Sequence, residues 1–354
     1  MYFSCWGFPM RFNHRPIHHL GLPFFWRIVL MALIWLGAIS WFHVTLNAEN
    51  RHGTVVRMGY MPVITNLAAP ILDYVTRDSG GIRFQAIKFA SFAEMAEALR
   101  NDRIQAAFMI APLSIVLHQQ GEAVKVVYIG NRHESTLVTR KALDIRRLED
   151  LAGRTVAVPM RYSGHNLSIL KLLEEHSLTG AVTIVEMNPP DMAAALSAGA
   201  LDAYYVGEPF AAQTLKSGDA KLFHYVEDVW PGFICNLVVV KQTFIDQQPE
   251  AVRLLVSGAA RSGFWASTHP DRAADIAADY WNQEKALVTY ALSTPPGRID
   301  FSRFVPKQSE LQQIADLMQK YGLTDSNAIH GLVDDRYAKA VAVTDISGLE
   351  DILR

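Results

Sequence analysis

A helix-then-strand pattern occurs twice in this chain of 354 residues, and it constrains the fold more than any other feature. EMAEALRNDRIQAAFMIAP covers residues 94–112, and DMAAALSAGALDAYYVGEP covers residues 191–209. The identical aligned pairs are Met95/Met192, Ala96/Ala193, Ala98/Ala195, Leu99/Leu196, Ala106/Ala203 and Pro112/Pro209. Each copy predicts a short helix, a polar turn, a buried strand and a proline-marked loop. The repeat favours two similar α/β lobes; the alternative is one large sheet with Ala-rich helices that match by coincidence.

The composition is that of a large globular protein. Half of the residues are apolar and 19% are charged, so the chain can bury a core of roughly two domains. The formal net charge of −2 argues against a nucleic-acid partner, which normally requires a strongly basic surface. The cysteines, Cys5 and Cys235, have neither metal-site spacing nor the pattern of a disulfide framework.

An apolar segment near the N-terminus predicts export across a membrane. Residues 28–46, IVLMALIWLGAISWFHVTL, contain no formally charged side chain, and Arg11, Arg15 and Arg27 precede them. Basic residues ahead of such a run keep the amino end in the cytoplasm, and about 20 helical residues span a bilayer. The following Leu46-Asn47-Ala48 matches a cleavage site poorly. Residues 1–50 therefore predict an export signal or an uncleaved inner-membrane anchor, with a buried core helix as the third reading.

Strand and helix patterns alternate after Thr54, which predicts parallel sheets. The predicted strands cover residues 55–60, 83–89, 106–111, 124–130, 155–159, 183–187, 203–207 and 236–244, and residues 135–142 are the segment that leaves the first lobe. The main predicted helices cover residues 67–76, 92–99, 167–176, 249–267, 272–283 and 309–321. Ser91 and Glu94 fit a capping box at the start of the second of these helices.

The order of the segments predicts a first lobe that is interrupted by a second. Residues 51–136 begin lobe 1, residues 137–238 form lobe 2, and residues 239–354 return to lobe 1 as largely helical chain. Two crossings, near residues 137 and 238, predict a hinge between the lobes. Ligands of open α/β sheets bind beyond the carboxyl ends of the strands, so the predicted site is a cleft between the lobes.

Four loops at the carboxyl ends of predicted strands open helices, and they supply most of the predicted ligand contacts. Because helix amino ends carry unpaired N–H groups and partial positive charge, several of them in one cleft could bind a small anion without a metal. The residues in these loops are Thr65, Asn66, Pro112, Ser114, Ser163, Gly164, His165, Gly207 and Glu208.

Several of these residues have a second interpretation. Ser163 can cap a helix, Gly164 can let a ligand approach the backbone, and His165 is either a ring donor or a solvated loop histidine. Thr65 and Asn66 are ligand donors or ordinary N-caps. Glu208 suits a cation, a hydroxyl or backbone N–H groups better than an anion.

Lys241 ends an apolar strand near the second crossing. Its side chain either reaches the cleft as a counter-charge or marks the emergence of the strand into water.

No enzymatic motif stands out. The chain has no HExxH pattern, GxSxG elbow, P-loop or GxGxxG fingerprint. The sequence therefore predicts no catalytic residue, no metal and no cofactor.

Several runs together resemble the solute-binding proteins of bacterial ABC importers, in the nitrate/sulfonate/bicarbonate-binding family. These runs are GYMPVITNLAAPILD, AAFMIAPLSIVL, GEAVKVVYIG, LAGRTVAVP, MNPPDMAAALSAGALDAYYVGEPF and LVDDRYA. The resemblance implies a type II periplasmic-binding-protein fold, α/β in class, whose two lobes close on a ligand. It also implies a periplasmic monomer that delivers a small oxyanion to permease and ATPase subunits.

The resemblance assigns roles to individual residues. Ser163-Gly164-His165 matches a Gly-Thr-His turn that contacts ligand in nitrate and bicarbonate members, Gly207 lines the same pocket, and Lys241 is the nearest match to a ligand lysine. A family tryptophan is absent near Phe92, and Asn131 or a neighbour replaces a glutamine.

These departures leave nitrate, a sulfonate, another oxyanion or an organic ligand open. A membrane-tethered sensor of the same fold is the alternative function. A thiamine-pyrimidine-synthase-like enzyme is disfavoured because the chain lacks that enzyme's Cys-rich motif.

Overall fold

A computed structural model describes residues 23–46, 53–78 and 80–354. In the first compact unit, Met1–Arg51, the described residues form a helix that is long and apolar enough to cross a membrane. This helix, α1, covers Phe24–Leu46, so it begins before the predicted Ile28. Arg11, Arg15 and the region of the possible cleavage site after Leu46 lie outside the described residues.

The second compact unit, His52–Arg354, contains two five-stranded sheets and the remaining helices. The strands are β1 Val55–Tyr60, β2 Arg83–Lys88, β3 Ala106–Ile110, β4 Val124–Ile129, β5 Ser135–Arg140, β6 Thr155–Val158, β7 Thr183–Glu186, β8 Ala203–Gly207, β9 Ala220–Tyr225 and β10 Asn236–Lys241. The helices are α2 Ala68–Thr76, α3 Phe92–Arg100, α4 Ala111–Gln119, α5 Gly164–Glu175, α6 Pro189–Ser197, α7 Phe210–Ser217, α8 Val226–Val229, α9 Gln242–Gln247, α10 Pro249–Thr268, α11 Pro270–Trp281, α12 Lys285–Ser293, α13 Gln308–Lys320 and α14 Arg336–Lys339.

The two sheets have the same plan, which confirms the two-lobe prediction and excludes a single large sheet. The first lobe has the strand order β2-β1-β3-β10-β4, and the second lobe has β7-β6-β8-β5-β9. In each sheet three parallel strands are followed by one antiparallel strand and an outer strand that pairs with it. The sequence repeat falls on α3 and β3 in one lobe and on α6 and β8 in the other.

Burial along the strands explains their sequences. Every residue of β3 and β8 is buried, because each strand is flanked by neighbours and covered on both faces. Such strands are nearly continuous apolar runs. The edge strand β7 has no buried residue, and its sequence TIVE is correspondingly mixed.

Each crossing leads directly into a strand of the other lobe. Strand β5 already belongs to the second sheet at Ser135, and β10 belongs to the first sheet from Asn236 onward. The predicted lobe boundary after residue 238 therefore falls inside β10. The crossing segments are residues 130–134 and residues 230–235.

Other local expectations also differ from the structure. Strand β9 and helix α12 were not predicted, because β9 is an edge strand with exposed Lys221 and Leu222, and α12 contains β-branched Val288 and Thr289. Ser91 does precede α3, but its side chain makes no cap hydrogen bond, so the capping-box prediction is wrong.

Gly130 is the first residue of the first crossing, and a substitution there tests how tightly the backbone around it is packed. A Cβ at this position would lie 2.1 Å from the carbonyl oxygen of Thr65, a backbone atom that cannot rotate away. We expect Gly130→Ala to lower the free energy of unfolding by about 1–3 kcal/mol, the usual cost of overpacking. Thermal unfolding of Gly81→Ala is the control, because a Cβ there meets nothing within 4 Å. Equal melting temperatures for the two variants would contradict this packing.

Candidate functional site

Loops from both lobes meet at the crossing that precedes β10. The Ile64 N–H donates to the carbonyl of Glu208 at 2.8 Å, which joins the loop after β1 to the loop after β8. The Asn236 amide donates to the side-chain oxygen of Asn66 at 2.8 Å. The Ala111 N–H donates to the carbonyl of Cys235 at 3.0 Å. The predicted loops from both lobes therefore converge on one interlobe region.

Helix α5 brings the Ser163-Gly164-His165 turn to the same crossing. The Asn166 N–H donates to the Ser163 hydroxyl at 3.1 Å, so Ser163 caps the helix as predicted. At Gly164 a Cβ would lie 2.7 Å from the Phe233 ring, so only glycine lets the helix start approach this segment. His165 packs edge-on against the rings of Tyr205 and Phe233.

His165 is a buried neutral imidazole and not a solvated loop histidine. Its side chain is 2% exposed, and burial lowers its pKa to about 3. Its Nε2 lies 2.9 Å from the Ser135 hydroxyl and 3.9 Å from the Cys235 sulfur. Within the described part of the chain, Nδ1 has no hydrogen-bond partner. This imidazole can offer a hydrogen bond to a ligand, but it carries no positive charge near neutral pH.

Three predicted ligand residues carry buried polar atoms that have no partner among the described residues. These atoms are the Thr65 hydroxyl, both amide atoms of Asn131 and Nδ1 of His165. A Cβ on Gly130 would meet the Thr65 hydroxyl at 2.8 Å, so Thr65 adjoins the residue before Asn131. Buried polar groups are nearly always paired in native proteins, so unpaired ones need an explanation such as a bound molecule. We call Thr65, Asn131 and His165 the buried cluster. They are connected through the start of β10, because the Gly130 N–H donates to the Asn236 carbonyl at 3.1 Å and the preceding Cys235 sulfur lies 3.9 Å from Nε2 of His165.

Two buried carboxyl groups lie beside this cluster. Glu134 accepts the Glu208 N–H at 2.7 Å, and burial raises the pKa of Glu134 to about 7. Glu208 accepts a hydrogen bond from the Thr136 hydroxyl at 2.7 Å and from the Ala212 N–H at 2.8 Å. Burial raises the pKa of Glu208 too, while Arg298, 3.8 Å away, opposes that shift. Glu208 therefore accepts hydrogen bonds from a hydroxyl and a backbone N–H group, which is one of the interactions that the sequence analysis considered for it.

Other predicted residues have structural partners in this region. The Ser114 hydroxyl donates to the Ala111 carbonyl at 2.6 Å, and Pro112 is buried in the first turn of α4. The Asn66 amide donates to the Met61 carbonyl at 3.0 Å. A Cβ on Gly207 would lie 2.7 Å from a Glu134 carboxyl oxygen, so this glycine makes room for that carboxyl group.

The structure contradicts the prediction for Lys241. Strand β10 runs antiparallel to β3 and β4, so its carboxyl end lies at their amino ends, on the edge of the sheet away from the loops. Lys241 pairs in register with Val124, and its ammonium group bonds Asp102 at 2.8 Å. Lys241 therefore ties β10 to the turn after α3 and does not face the interlobe region.

A cleft of about 780 Å³ opens beside the converging loops, and none of the predicted ligand residues lines it. Lys88 ends β2 in the first lobe and Phe89 and Ala90 follow it, while Phe210, Gln213 and Lys216 belong to α7 in the second. The connection from α11 to α12 closes a further side with Trp281 and Gln283. Because ligands of open α/β sheets bind at the carboxyl ends of strands, Lys88 could have been predicted from the sequence. The positions of α7 and of the α11–α12 connection depend on long-range packing, which local sequence patterns do not show.

Metal binding finds no support in the described residues. Across the ranges that the structure covers, no group of three or more His, Cys, Asp or Glu side chains could hold a metal ion.

The model of the NMT1-like family matches residues 50–279, which is more than half of the chain, so the chain belongs to this family. The taurine-binding periplasmic protein of Escherichia coli (strain K12) is 30% identical over 49% of this chain and 54% of its own length. The chain therefore spans only about half of that relative. A putative aliphatic sulfonates-binding protein of Bacillus subtilis (strain 168) is 25% identical over 76% of this chain and 81% of its own length.

The fold is similar to that of solved structures. The periplasmic nitrate-binding protein NrtA of Synechocystis PCC 6803 has a TM-score of 0.71 at 15% identity, over 85% of this chain and 91% of its own. This similarity confirms the periplasmic-binding-protein fold.

The pKa of Glu134 predicts how stability depends on pH. A carboxyl group whose folded pKa is raised stabilises the fold below its unfolded pKa and loses that contribution as pH rises through about 7. The Glu134→Gln variant has no carboxyl group at this position, so it does not lose stability for this reason as the pH rises. We expect its stability relative to the parent protein to increase by on the order of 2–3 kcal/mol between about pH 5 and pH 8.

Denaturant unfolding across this pH range measures the difference. The opposite pH dependence of His165 cancels, because both proteins contain that residue. Glu94→Gln, on the exposed face of α3, is the control for exchanging a carboxyl group for an amide elsewhere in the fold. A pH-independent difference for Glu134→Gln would show that this carboxyl group titrates normally in the fold.

Proposed function

We propose that this member of the NMT1-like family is the extracytoplasmic solute-binding component of an ABC importer. It captures a small solute with an anionic group between its two lobes and delivers it to a permease and its ATPase. The relatives that bind taurine and aliphatic sulfonates support the solute class, and the two matched lobes support capture by closure.

The buried cluster is the observation that carries the proposal. Thr65 and Asn131 come from the first lobe and its crossing, and His165 comes from the second lobe. Their unpaired polar atoms are enclosed and are drawn from both sides of the hinge. A solute that bonds to all three can do so only when the lobes are together, so binding favours the closed form.

Local electrostatics around the cluster suit a polar group that accepts hydrogen bonds. Helices α4 and α5 begin at this crossing, and helix amino ends carry partial positive charge. The raised pKa values of Glu134 and Glu208 reduce the negative charge that these carboxyl groups would otherwise place nearby. The neutral imidazole of His165 can donate or accept, depending on its tautomer.

Helix α1 supports export. Phe24–His43 is an apolar segment that suits either a signal sequence or a membrane anchor. In both cases we propose that residues 53–354 function outside the cytoplasm. If the helix is retained, a tethered ligand sensor is the second candidate function. Mass spectrometry of the mature N-terminus separates a cleaved from a retained helix. A growth requirement for the importer genes under solute limitation separates transport from sensing.

Replacing His165 tests the cluster. The full-length protein, purified in detergent, is titrated by calorimetry with nitrate, bicarbonate, taurine and alkanesulfonates. For the solute that binds best, we expect His165→Ala to weaken binding by about 1–3 kcal/mol, because one buried hydrogen bond is lost. His176→Ala, at the exposed end of α5, is the control and should bind normally. Unchanged affinity for His165→Ala would remove this residue from the site.

Replacing Thr65 separates a ligand role from a structural one. Valine has nearly the shape of threonine but lacks the hydroxyl, which is buried and has no partner among the described residues. We expect Thr65→Val to keep or raise the melting temperature and to weaken solute binding by about 0.5–1.5 kcal/mol. A variant that melts normally and binds with full affinity would show that the hydroxyl does not contact the solute.

A further inference from the structure

We infer that the cleft of about 780 Å³ holds an organic anion whose charged group lies between Lys88 of the first lobe and Lys216 of the second. This inference rests on the proposed function and specifies its solute. It also replaces Lys241, which lies elsewhere, as the source of positive charge.

The walls of the cleft come from both lobes. Pro62 follows β1 and Lys88 ends β2 in the first lobe, and Phe210 and Lys216 belong to α7 of the second lobe. Pro62 belongs to the same loop as Thr65, although none of the three residues of the buried cluster lines the cleft. A solute in the cleft therefore contacts both lobes.

The two lysines are available to an anion. The Lys88 ammonium group donates one long hydrogen bond, 3.3 Å, to the Trp281 carbonyl. The Lys216 ammonium group lies 5.1 Å from the centre of the Tyr290 ring, which is a cation–π contact. In the described part of the chain neither lysine forms an ion pair, whereas Lys285 pairs with Asp275 at 2.6 Å. Each ammonium group thus retains donors that a carboxylate or sulfonate could accept.

The remaining lining adds an indole donor and apolar surface. Trp281 is 3% exposed, and its indole N–H has no partner among the described residues. The Gln283 side-chain oxygen is likewise buried and unpaired. Phe89 and Phe210 contribute aromatic surface. Glu284 is the acidic residue of the lining, against the two lysines, so the charged side chains of the cleft carry a net positive charge.

The size of the cleft indicates an organic solute. Small-molecule sites are typically clefts of about 300–1,000 Å³ with apolar walls and a few placed polar groups. An inorganic oxyanion would occupy a small part of this space and would leave the aromatic surfaces in water. An alkyl or aryl sulfonate or carboxylate can place its body on Phe89, Phe210 and Trp281 and its anionic group at the lysines.

Calorimetry on the full-length protein in detergent tests this inference with nitrate, taurine, 1-butanesulfonate and 2-naphthalenesulfonate. We expect at least one of the two larger sulfonates to bind at least about tenfold more tightly than nitrate. For that sulfonate, Lys88→Gln and Lys216→Gln should each weaken binding about tenfold or more, since each removes one charge-assisted hydrogen bond. Lys221→Gln, on the exposed part of β9, is the matched control and should bind normally.

The outcomes separate this inference from the proposed function. If nitrate or taurine binds at least as tightly as both larger sulfonates, the organic-anion inference fails while solute binding remains. If a larger sulfonate binds best and neither lysine variant weakens it, the lysine assignment fails. If no compound in the full set binds, including bicarbonate, the proposed function fails as well.

Discussion

The buried guanidinium of Arg132 holds the two crossings and the returning chain together. It donates to the Gly232 carbonyl at 2.6 Å, to the Arg303 carbonyl at 3.2 Å and to the Glu310 carboxylate at 3.0 Å. Arg132 is 2% exposed, and a charge buried this deeply is tolerated only when it is paired and hydrogen-bonded. Because these partners lie on three segments, the charge fixes their relative positions. The loops that carry Asn131 and His165 meet beside this fixed point.

Charge is distributed unevenly across the interlobe region. The buried cluster offers neutral hydrogen-bonding groups next to carboxyl groups whose pKa values are raised by burial. The ammonium groups of Lys88 and Lys216, which form no ion pair with the described residues, lie in the solvent-accessible cleft instead. Full burial of an unpaired lysine would cost far more than leaving it in a wet cleft. The arrangement therefore suits a solute with a charged end and a separate polar end.

Much of this fold could be predicted from sequence, because local apolar patterns and one internal repeat indicate it. The repeat at residues 94–112 and 191–209 gave the two lobes, and the apolar runs gave the buried strands. The loop rule singled out Thr65, Asn66 and Ser163, which lie in the interlobe region, and their contact with a solute stays a prediction.

The predictions that were wrong or missing concern features that depend on long-range packing. Lys241 was misplaced because the direction in which β10 enters its sheet is set by the preceding crossing and not by its own residues. Lys216 and Trp281 were missed because the packing of α12 against α7 closes the cleft, and α12 itself was not predicted. The neutral state of His165 also follows from burial in the assembled fold, which no local pattern encodes.

Closure of the lobes would couple to binding through the same lysines. When the lobes come together without a solute, two positive groups from opposite lobes line one cleft, and their repulsion opposes closure. An anion between them converts that repulsion into attraction on both sides, so its interaction energy is larger in the closed form than in the open one. A ligand shifts a conformational equilibrium only by such a difference in affinity. A solute that contacts Lys88 of one lobe and Lys216 of the other would supply this difference only when the lobes are together.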